Sequence, residues 1–235
     1  MHIPDGFLDP KIAGGLAGLA AMVLGHCFSR VRQAVTAVVP EAALATAGKG
    51  VRSILTGSRR VLTEFGQSFI LKMGAVASLV FAAQMFNFPI NSGTSGHLLG
   101  GVLAVVLLGP FAGSLAIAAV LVVQSLFFAD GGLLALGANL INMAVFGALI
   151  SYYIYFGIKK LFPEWLAIMV AAWLSVVLAS FICALEIGFS GTIPLGTAIP
   201  AMFRVHALIG VAEALITIAL LNLFRQTMPA EEEAR

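Results

Sequence analysis

The first two residues, Met1 and His2, offer nitrogen donors at a spacing that suits one metal ion. The α-amine of Met1, the amide nitrogen of His2 and the His2 imidazole can bind the ion together in small chelate rings. One more imidazole would complete a planar set of nitrogens, the tetragonal geometry of Ni(II) or Cu(II). Methionine removal in bacteria needs a small second residue, so the large His2 predicts that Met1 is retained with a free amine. The simpler alternative is that His2 is an ordinary surface residue.

A second histidine, His97, is the candidate for the remaining nitrogen. It follows the glycine-rich run 91–96 and precedes Leu-Leu-Gly-Gly at 98–101. Glycines permit close backbone approach and unusual dihedral angles, so this segment could place an imidazole at the mouth of a site. The alternative is a histidine at a helix start that is hydrogen-bonded to the backbone. Imidazole suits nickel, cobalt, zinc and copper alike.

The composition indicates a membrane protein. Hydrophobic residues make up 60% of the chain, charged residues 10%, and the mean hydropathy is +1.02. Soluble domains carry about 25% charged residues, so this chain is expected in a lipid bilayer. The net charge of +2 and the lack of a basic and aromatic block argue against nucleic acid as a partner. Cys27 and Cys183 lie in apolar segments and are interpreted as packing residues.

The chain contains seven apolar runs that could form membrane helices. They cover 12–29, about 68–88, 98–108, 111–128, 133–158, 164–188 and 203–224. A full crossing takes about 20 residues, so the run 98–108 is too short to span alone. Gly109-Pro110 separates it from the next run, because proline stops a helix. The sequence therefore predicts an all-α membrane protein, a single domain over 1–235 with seven transmembrane helices, one of them short.

The basic residues predict the orientation of this bundle. With seven helices, eleven of the thirteen lysines and arginines fall on one side, and only Lys11 and Arg204 fall on the other. The positive-inside rule assigns the larger group to the cytoplasm. The N-terminal segment 1–11 is therefore expected outside a prokaryotic cell membrane, and the tail 225–235 inside. The eleven are Arg30, Arg32, Lys49, Arg52, Arg59, Arg60, Lys72, Lys159, Lys160, Arg225 and Arg235.

The predicted cytoplasmic loop 30–67 is the least hydrophobic interior part of the chain. Its stretches 35–45 and 51–62 hold apolar residues with lysine and arginine within and around them. One interpretation is a pair of amphipathic helices lying on the inner membrane surface. The other is a docking surface for a cytoplasmic or membrane partner, and the sequence does not choose between them.

Polar side chains gather near the predicted outer ends of the helices. They include Gln84, Asn87, Gln124, Ser125, Asp130, Asn139 and Asn142. Polar groups at membrane depth are costly and face the protein interior. There they could orient metal-ligand imidazoles or hydrogen-bond neighbouring helices. On the last helix, His206 and Glu213 lie two turns apart and could pair with each other or line a metal path. His26 lies towards the predicted inner end of the first helix, which indicates a structural role.

Four blocks of this sequence resemble the CbiM/NikM family, the substrate-binding membrane components of energy-coupling-factor transporters for cobalt and nickel. They are Met-His-Ile-Pro-Asp-Gly-Phe-Leu at 1–8, the run 81–101, the run 128–139 and the run 206–216. The resemblance implies a seven-helix fold with the amino terminus tucked into the bundle. It also implies metal binding by the Met1 amine, by His2 through its backbone and side chain, and by His97.

The resemblance further implies a division of labour between subunits. This chain would not hydrolyse ATP. It would work with a transmembrane coupling subunit, with cytoplasmic ATPase subunits and in some systems with a small accessory membrane subunit. The segment 30–67 departs from the family, in which the first cytoplasmic connection is short. That departure puts partner docking in question and is compatible with a divergent subgroup.

The expected function is the capture of Co(II) or Ni(II) for ATP-driven uptake, by a subunit that is not an enzyme and has no cofactor besides the transported ion. One alternative is a secondary metal permease without ATPase partners, although Glu213 is the only acidic residue predicted at depth for a proton relay. An intramembrane metalloenzyme using His206 and Glu213 is disfavoured, because no His-Glu-x-x-His run or third ligand accompanies them. The sequence does not choose between nickel and cobalt.

Overall fold

The computed structural model describes residues 1–40, 58–85, 88–90 and 94–227, which are mostly helical. The helices are α1 (Pro10–Val35), α2 (Glu64–Gln84), α3 (Gly101–Leu108), α4 (Pro110–Phe127), α5 (Leu136–Leu140), α6 (Ser151–Lys159), α7 (Glu164–Phe189) and α8 (Leu195–Thr227). A π-helix over Ile141–Ile150 joins α5 to α6. Two antiparallel strand pairs accompany them, β1 (Thr36–Pro40) with β2 (Ser58–Leu62) and β3 (Phe88–Ile90) with β4 (Thr94–Gly96).

Within the described ranges, six helices are long and apolar enough to cross a membrane. They are α1, α2, α4, the continuous unit of α5, π-helix and α6, α7, and α8. The remaining predicted run, 98–108, contains α3, which has 8 residues. The chain is therefore a multi-pass membrane protein. The count of seven crossings and the orientation of the termini remain predictions.

The predicted break between the third and fourth runs is confirmed. Gly109 follows α3 with a φ of 79°, in the left-handed region that favours glycine. Pro110 is the first residue of α4, a position where its missing N–H leaves no intrahelical hydrogen bond unmade. Two helices therefore meet at a tight turn instead of forming one long helix.

The strand pairs bear on the helical fold and on one of the two interpretations of the loop 30–67. Amphipathic helices over 35–45 and 51–62 were one alternative, and it is contradicted where Thr36–Pro40 and Ser58–Leu62 form paired strands. Three β-branched residues in Thr36–Pro40 favour an extended backbone, and the pairing satisfies its hydrogen-bonding groups. The all-α prediction is corrected to a mainly helical fold with short strands. The residues 41–57 of the predicted cytoplasmic loop lie outside the described residues, as does most of the tail 225–235.

The helices differ in how much of their surface the bundle covers. In the apolar windows of α4, the α5–α6 unit and α7, 56%, 50% and 50% of residues are buried. The share falls to 28% in α8, 17% in α2 and 11% in α1. The central core contains Val105, Ile117, Leu121 and Met143, which are almost fully buried. The exposed apolar side chains of the outer helices suit contact with lipid tails.

Glycines allow α3 and the π-helix to approach closely. A side chain on Gly101 would collide with the carbonyl oxygen of Gly147, and one on Gly147 would collide with Leu99. Leu99 is fully buried in this contact. Because Leu99 lies two residues after His97, the close packing fixes one end of the segment that carries the histidine.

Candidate metal centre

The N-terminal segment is folded into the bundle. Met1 and Ile3 are fully buried and His2 is 4% exposed. The backbone N–H of Ile3 donates to Asn139 Oδ1 at 2.8 Å, and Asn139 Nδ2 donates back to the Ile3 carbonyl oxygen at 3.2 Å. Gly132 N–H also donates to that carbonyl at 2.9 Å. The side chain of Asn139, on α5, therefore fixes the register of Met1 and His2 within the protein.

The turn between α4 and α5 is shaped to fit this segment. Asp5 accepts hydrogen bonds from the backbone N–H groups of Leu133 at 3.2 Å and Leu134 at 2.8 Å. Gly131 has a φ of 94°, and a Cβ there would lie 2.8 Å from His2 Nδ1. A Cβ on Gly132 would collide with Asp5. The two glycines of this turn are thus needed for the N-terminal segment to lie against it.

The structure brings His2 and His97 together. Their rings stack with centroids 4.7 Å apart and an interplanar angle of 28°. His97 is fully buried, and its Nδ1 lies 2.7 Å from the carbonyl oxygen of Leu98. A carbonyl only accepts, so this contact requires the proton on Nδ1 and leaves a lone pair on Nε2. The Nε2 atoms of both histidines are buried, and no described residue is a hydrogen-bond partner of either.

Burial keeps the three predicted metal ligands neutral. It lowers the pKa of the Met1 amine from 8.0 to about 5, although the nearby Cys183 and Asp130 oppose the shift. Burial and the charge of the amine lower the pKa of the His2 imidazole to about 3. The pKa of His97 falls well below 6.5, through burial first and then repulsion from the amine, His2 and His206. Lone pairs are therefore available at neutral pH.

Asp130 lies beside the pocket, and its contact with His2 is not an ion pair at neutral pH. Its Oδ2 lies 3.7 Å from His2 Nε2, but an imidazole with a pKa of about 3 carries no charge at neutral pH. The distance is also longer than a hydrogen bond. The carboxylate instead supplies negative potential beside the pocket, which favours a cation there.

His206 lies near this cluster, on α8. It is fully buried, and its Nδ1 is 2.8 Å from the carbonyl oxygen of Met202. Its Nε2 has no hydrogen-bond partner in the part of the chain that the structure describes. Among the described residues, no three side chains of His, Cys, Asp or Glu converge at metal-binding distance. The predicted ligand set includes only the imidazoles of His2 and His97, with the remaining donors from the N-terminal backbone. His206 therefore stands beside the pocket.

The predicted pairing of His206 with Glu213 is wrong. Glu213 accepts hydrogen bonds from the backbone N–H groups of Leu99 at 2.8 Å and Gly100 at 2.6 Å. Gln84 Nε2 donates to the carbonyl oxygen of Leu99 at 2.7 Å. Both side chains thus bind the segment that follows His97, because buried backbone groups outside regular structure need side-chain partners.

The other predicted polar residues have varied surroundings. Asn142 Nδ2 donates to Glu186 Oε2 at 2.7 Å, which links the π-helix to α7. The side-chain amide of Gln124 is buried and has no hydrogen-bond partner among the residues described. Asn87 lies outside the described residues.

Two acidic residues near the N-terminal segment have more specific roles than the sequence suggested. Glu186 is 6% exposed and is hydrogen-bonded to Asn142 in a buried pair. Asp5 anchors the turn before α5. The glycine pair after Asp130 was the available signal, because adjacent glycines often mark a close approach of another segment.

The fold and this pocket define a class of protein. It is a multi-pass membrane bundle that buries two neutral imidazoles beside an amine, and nitrogen donors of this kind suit late first-row transition metals.

The particular family follows from comparison with known proteins. The CbiM family model, described as cobalt uptake substrate-specific transmembrane region, matches residues 42–231. A protein of Archaeoglobus fulgidus named as a fused nickel transport protein, NikMN, is 38% identical over 97% of this chain and 67% of its own length. One of Haloquadratum walsbyi named as a metal transport protein is 37% identical over 97% of this chain and 92% of its own length. The chain belongs to the CbiM family, as its motifs predicted.

A solved structure supports the same relationship. The crystal structure of a truncated transition metal transporter matches with a TM-score of 0.78 and 27% identity, covering 97% of this chain and all of that one. The helical architecture described above is therefore shared with a transition metal transporter.

Proposed function

We propose that this chain is the substrate-capture component of an ATP-driven energy-coupling-factor transporter that takes up Co(II) or Ni(II). The observation that carries the proposal is the stacked pair of buried, neutral imidazoles, His2 and His97, beside the Met1 amine. Three uncharged nitrogen groups in one buried pocket cost the fold desolvation of their polar atoms. A transition metal that binds them would offset this cost.

The proposed ligands are the Met1 amine, the amide and imidazole nitrogens of His2, and the Nε2 of His97. Imidazole and amine nitrogens favour nickel and cobalt over hard cations such as magnesium. Binding through the His2 amide requires loss of its proton, so affinity should rise with pH. Asn139 would keep Met1 and His2 in register through its two hydrogen bonds to Ile3. Its role is that of an outer partner which orients the ligands.

The proposed partners are a transmembrane coupling subunit, cytoplasmic ATPase subunits and, in some assemblies, a small accessory membrane subunit. The family description, a substrate-specific transmembrane region, supports a component that recognises the ion while other subunits supply energy. The name of the Archaeoglobus relative, a fused transport protein, is compatible with partners that work closely together. The partner ATPases would hydrolyse ATP, and the segment 30–67 would contribute to docking them.

A secondary metal permease is the competing function. A proton-coupled carrier would need an acidic group at depth that is free to exchange protons. Glu186 and Glu213 are both buried in spanning helices, and both accept hydrogen bonds, from Asn142 and from the backbone of Leu99 and Gly100. Carboxylates that already accept such hydrogen bonds are better suited to holding neighbouring groups in place than to passing protons.

Two measurements on the purified chain test the proposal. Titration with Ni(II) and with Co(II) should give high-affinity binding of one ion per chain, and Mg(II) should bind far more weakly. Proteoliposomes should then accumulate the metal only when the coupling and ATPase subunits and ATP are present. Accumulation by the chain alone, driven by a proton gradient, would favour the permease instead. A chain that binds neither metal would contradict the proposed function.

A further inference from the structure

We propose that Gln84 and Glu213 form a clamp on the peptide of Leu99, and that this clamp positions His97 in the metal centre. The inference rests on the proposed function, because it concerns how one ligand of the same site is held. It assigns a role to two buried side chains outside the predicted ligand set.

The clamp closes on Leu99 from two different helices. Gln84, near the end of α2, donates to the carbonyl oxygen of Leu99 at 2.7 Å. Glu213, on α8, accepts the N–H of Leu99 at 2.8 Å and the N–H of Gly100 at 2.6 Å. Gln84 is fully buried and Glu213 is 2% exposed. Both backbone groups of Leu99 are therefore held by side chains distant in sequence.

The local backbone is built for this arrangement. Gly100 has a φ of 71°, in the left-handed region, and a Cβ there would lie 2.8 Å from a methyl group of Val80. Two successive N–H groups can then face one carboxylate, each with its own oxygen. Hydrogen bonds to an ionised acceptor are stronger than neutral ones. The carboxylate also lies where α3 begins, and the helix dipole favours negative charge there.

The clamp acts on His97 together with two other contacts of its segment, the β3–β4 pair that ends at Gly96 and the packing of Leu99 against Gly147. The ring stacks on His2, and Nδ1 bonds to the carbonyl of the next residue, Leu98. Neither contact ties His97 to a helix of the bundle. The clamp ties Leu99, two residues later, to α2 and α8. A shift of α8 relative to α2 would therefore move His97 away from Met1 and His2, which gives moving helices a way to release the ion.

A purely structural role for Glu213 makes a different prediction. If the carboxylate only stabilised the bundle, its loss would affect metal binding whether or not His97 is present. If it acts through His97, its loss should have no further effect once that imidazole is removed. A double-mutant cycle separates the two cases.

The experiment measures Ni(II) affinity and the visible absorption spectrum of bound Ni(II) in the purified full chain. The variants are Glu213→Gln, His97→Ala and the combination. Glu213→Gln should weaken binding by roughly tenfold, the lower end for residues that orient a ligand. Its spectrum should shift towards that of His97→Ala. The double variant should bind no more weakly than His97→Ala alone. Additive losses, or an unchanged affinity and spectrum in Glu213→Gln, would overturn the inference.

A matched control and a second variant guard against general destabilisation. Glu164→Gln also removes a carboxylate with several partners. Glu164 is the first residue of α7 and is not part of the clamp, so this variant should leave the Ni(II) affinity and the spectrum unchanged. If Glu213→Gln does not fold, Gln84→Met removes the other arm and enters the same cycle. If the wild-type chain binds neither Ni(II) nor Co(II), the proposed function fails together with the clamp, and if it binds only Co(II), the same cycle is measured with Co(II). If the wild-type chain binds metal and His97→Ala weakens the binding, but Glu213→Gln and Gln84→Met leave the affinity unchanged, only the clamp is wrong.

Discussion

The polar side chains at two ends of the bundle differ in burial and in charge. The histidine end, defined by Met1, His2 and His97, is buried, and its hydrogen bonds run mainly between side chains and backbone. The other end, defined by Tyr155, Lys159, Glu164 and Arg225, is partly exposed and held by ion pairs. That cluster will be called the Glu164 end.

The Glu164 end concentrates its contacts on a single oxygen. Glu164 Oε1 lies 2.7 Å from Lys159 Nζ, 3.0 Å from Arg225 Nη2 and 2.7 Å from the Tyr155 hydroxyl. The side chains of Lys159 and Glu164 are 45% and 31% exposed. Exposed ion pairs of this kind contribute little stability, because water solvates the same charges well.

The difference between the ends shows how a membrane bundle can keep donors reactive. At the Glu164 end, charges remain because partners and water stabilise them. At the histidine end, burial keeps the amine and the imidazoles neutral, and the described residues offer no hydrogen-bond partner to the Nε2 atoms of His2 and His97. A cation that arrives there meets neutral ligands, whereas one at the Glu164 end would compete with Lys159 and Arg225. The following predictions test this contrast, from the largest expected effect to the smallest.

The largest effect should come from blocking the N-terminal amine. One extra residue before Met1, or acetylation of the amine, should lower Ni(II) affinity by more than about 100-fold, beyond the loss typical of outer partners. The change removes a proposed donor and adds atoms where Met1 is fully buried. Metal titration measures the loss, and circular dichroism checks that the helices remain. Unchanged affinity in the extended protein would rule out this site.

His97→Ala should weaken metal binding much more than His26→Ala. His97 is fully buried against His2, whereas His26 is exposed and packs edge-on against Phe111 at 5.7 Å. A loss of roughly 10- to 100-fold is expected for His97 and none for His26, on the scale of altered metal-site residues. Both variants remove one imidazole. Equal losses of Ni(II) affinity in parallel titrations would therefore contradict the assignment of His97 as a ligand.

The pH dependence of Ni(II) affinity should show that one proton is released when the metal binds near neutral pH. Because the pKa of the Met1 amine is about 5 and that of His2 about 3, these donors are neutral near neutral pH. Only the His2 amide then loses a proton on binding, so affinity should rise by about tenfold per pH unit between about pH 6 and 8. Below pH 5 the amine becomes protonated and the dependence should steepen.

Titrations across this pH range count the protons directly. A slope of two or three protons near neutrality would mean that the free donors are charged, which contradicts their burial. A slope of zero would mean that the amide nitrogen is not a ligand.

The smallest effect is expected at the Glu164 end. Arg225→Ala should lower the free energy of unfolding by less than about 1 kcal/mol, as for other exposed ion pairs, and should leave Ni(II) affinity unchanged. Thermal unfolding in detergent at low and high salt measures the first, and metal titration the second. A clear change in affinity would show that the two ends are coupled across the bundle.

Much of the fold was predictable from hydrophobic runs, since an apolar stretch of membrane length has few alternatives to a helix. Gly109-Pro110 likewise marked a helix boundary through local backbone preferences. Amphipathic helices at 35–45 and 51–62, one of two interpretations, are contradicted at 36–40 and 58–62, because apolar and basic residues at mixed spacing also suit a strand. Only the pairing of Thr36–Pro40 with Ser58–Leu62 distinguishes the two.

The candidate site was likewise predictable only in part. The sequence indicated the donor types at Met1, His2 and His97, because imidazole and amine chemistry belongs to the residues themselves. It did not indicate that Glu213 binds Leu99 and Gly100 instead of His206. Charge and spacing on one helix are visible in the sequence, but a backbone partner on another segment is not.

By itself, the sequence determined a multi-pass membrane protein of the CbiM family with nitrogen donors near its start, because hydropathy, motif and side-chain chemistry are local properties. Only the tertiary structure decided which groups hold those donors. Asn139 binds Ile3 across 136 residues of chain, and Glu213 binds Leu99 across 114. Contacts of such separation depend on how the helices pack, since each buried backbone group must find whatever partner the folded bundle brings within reach.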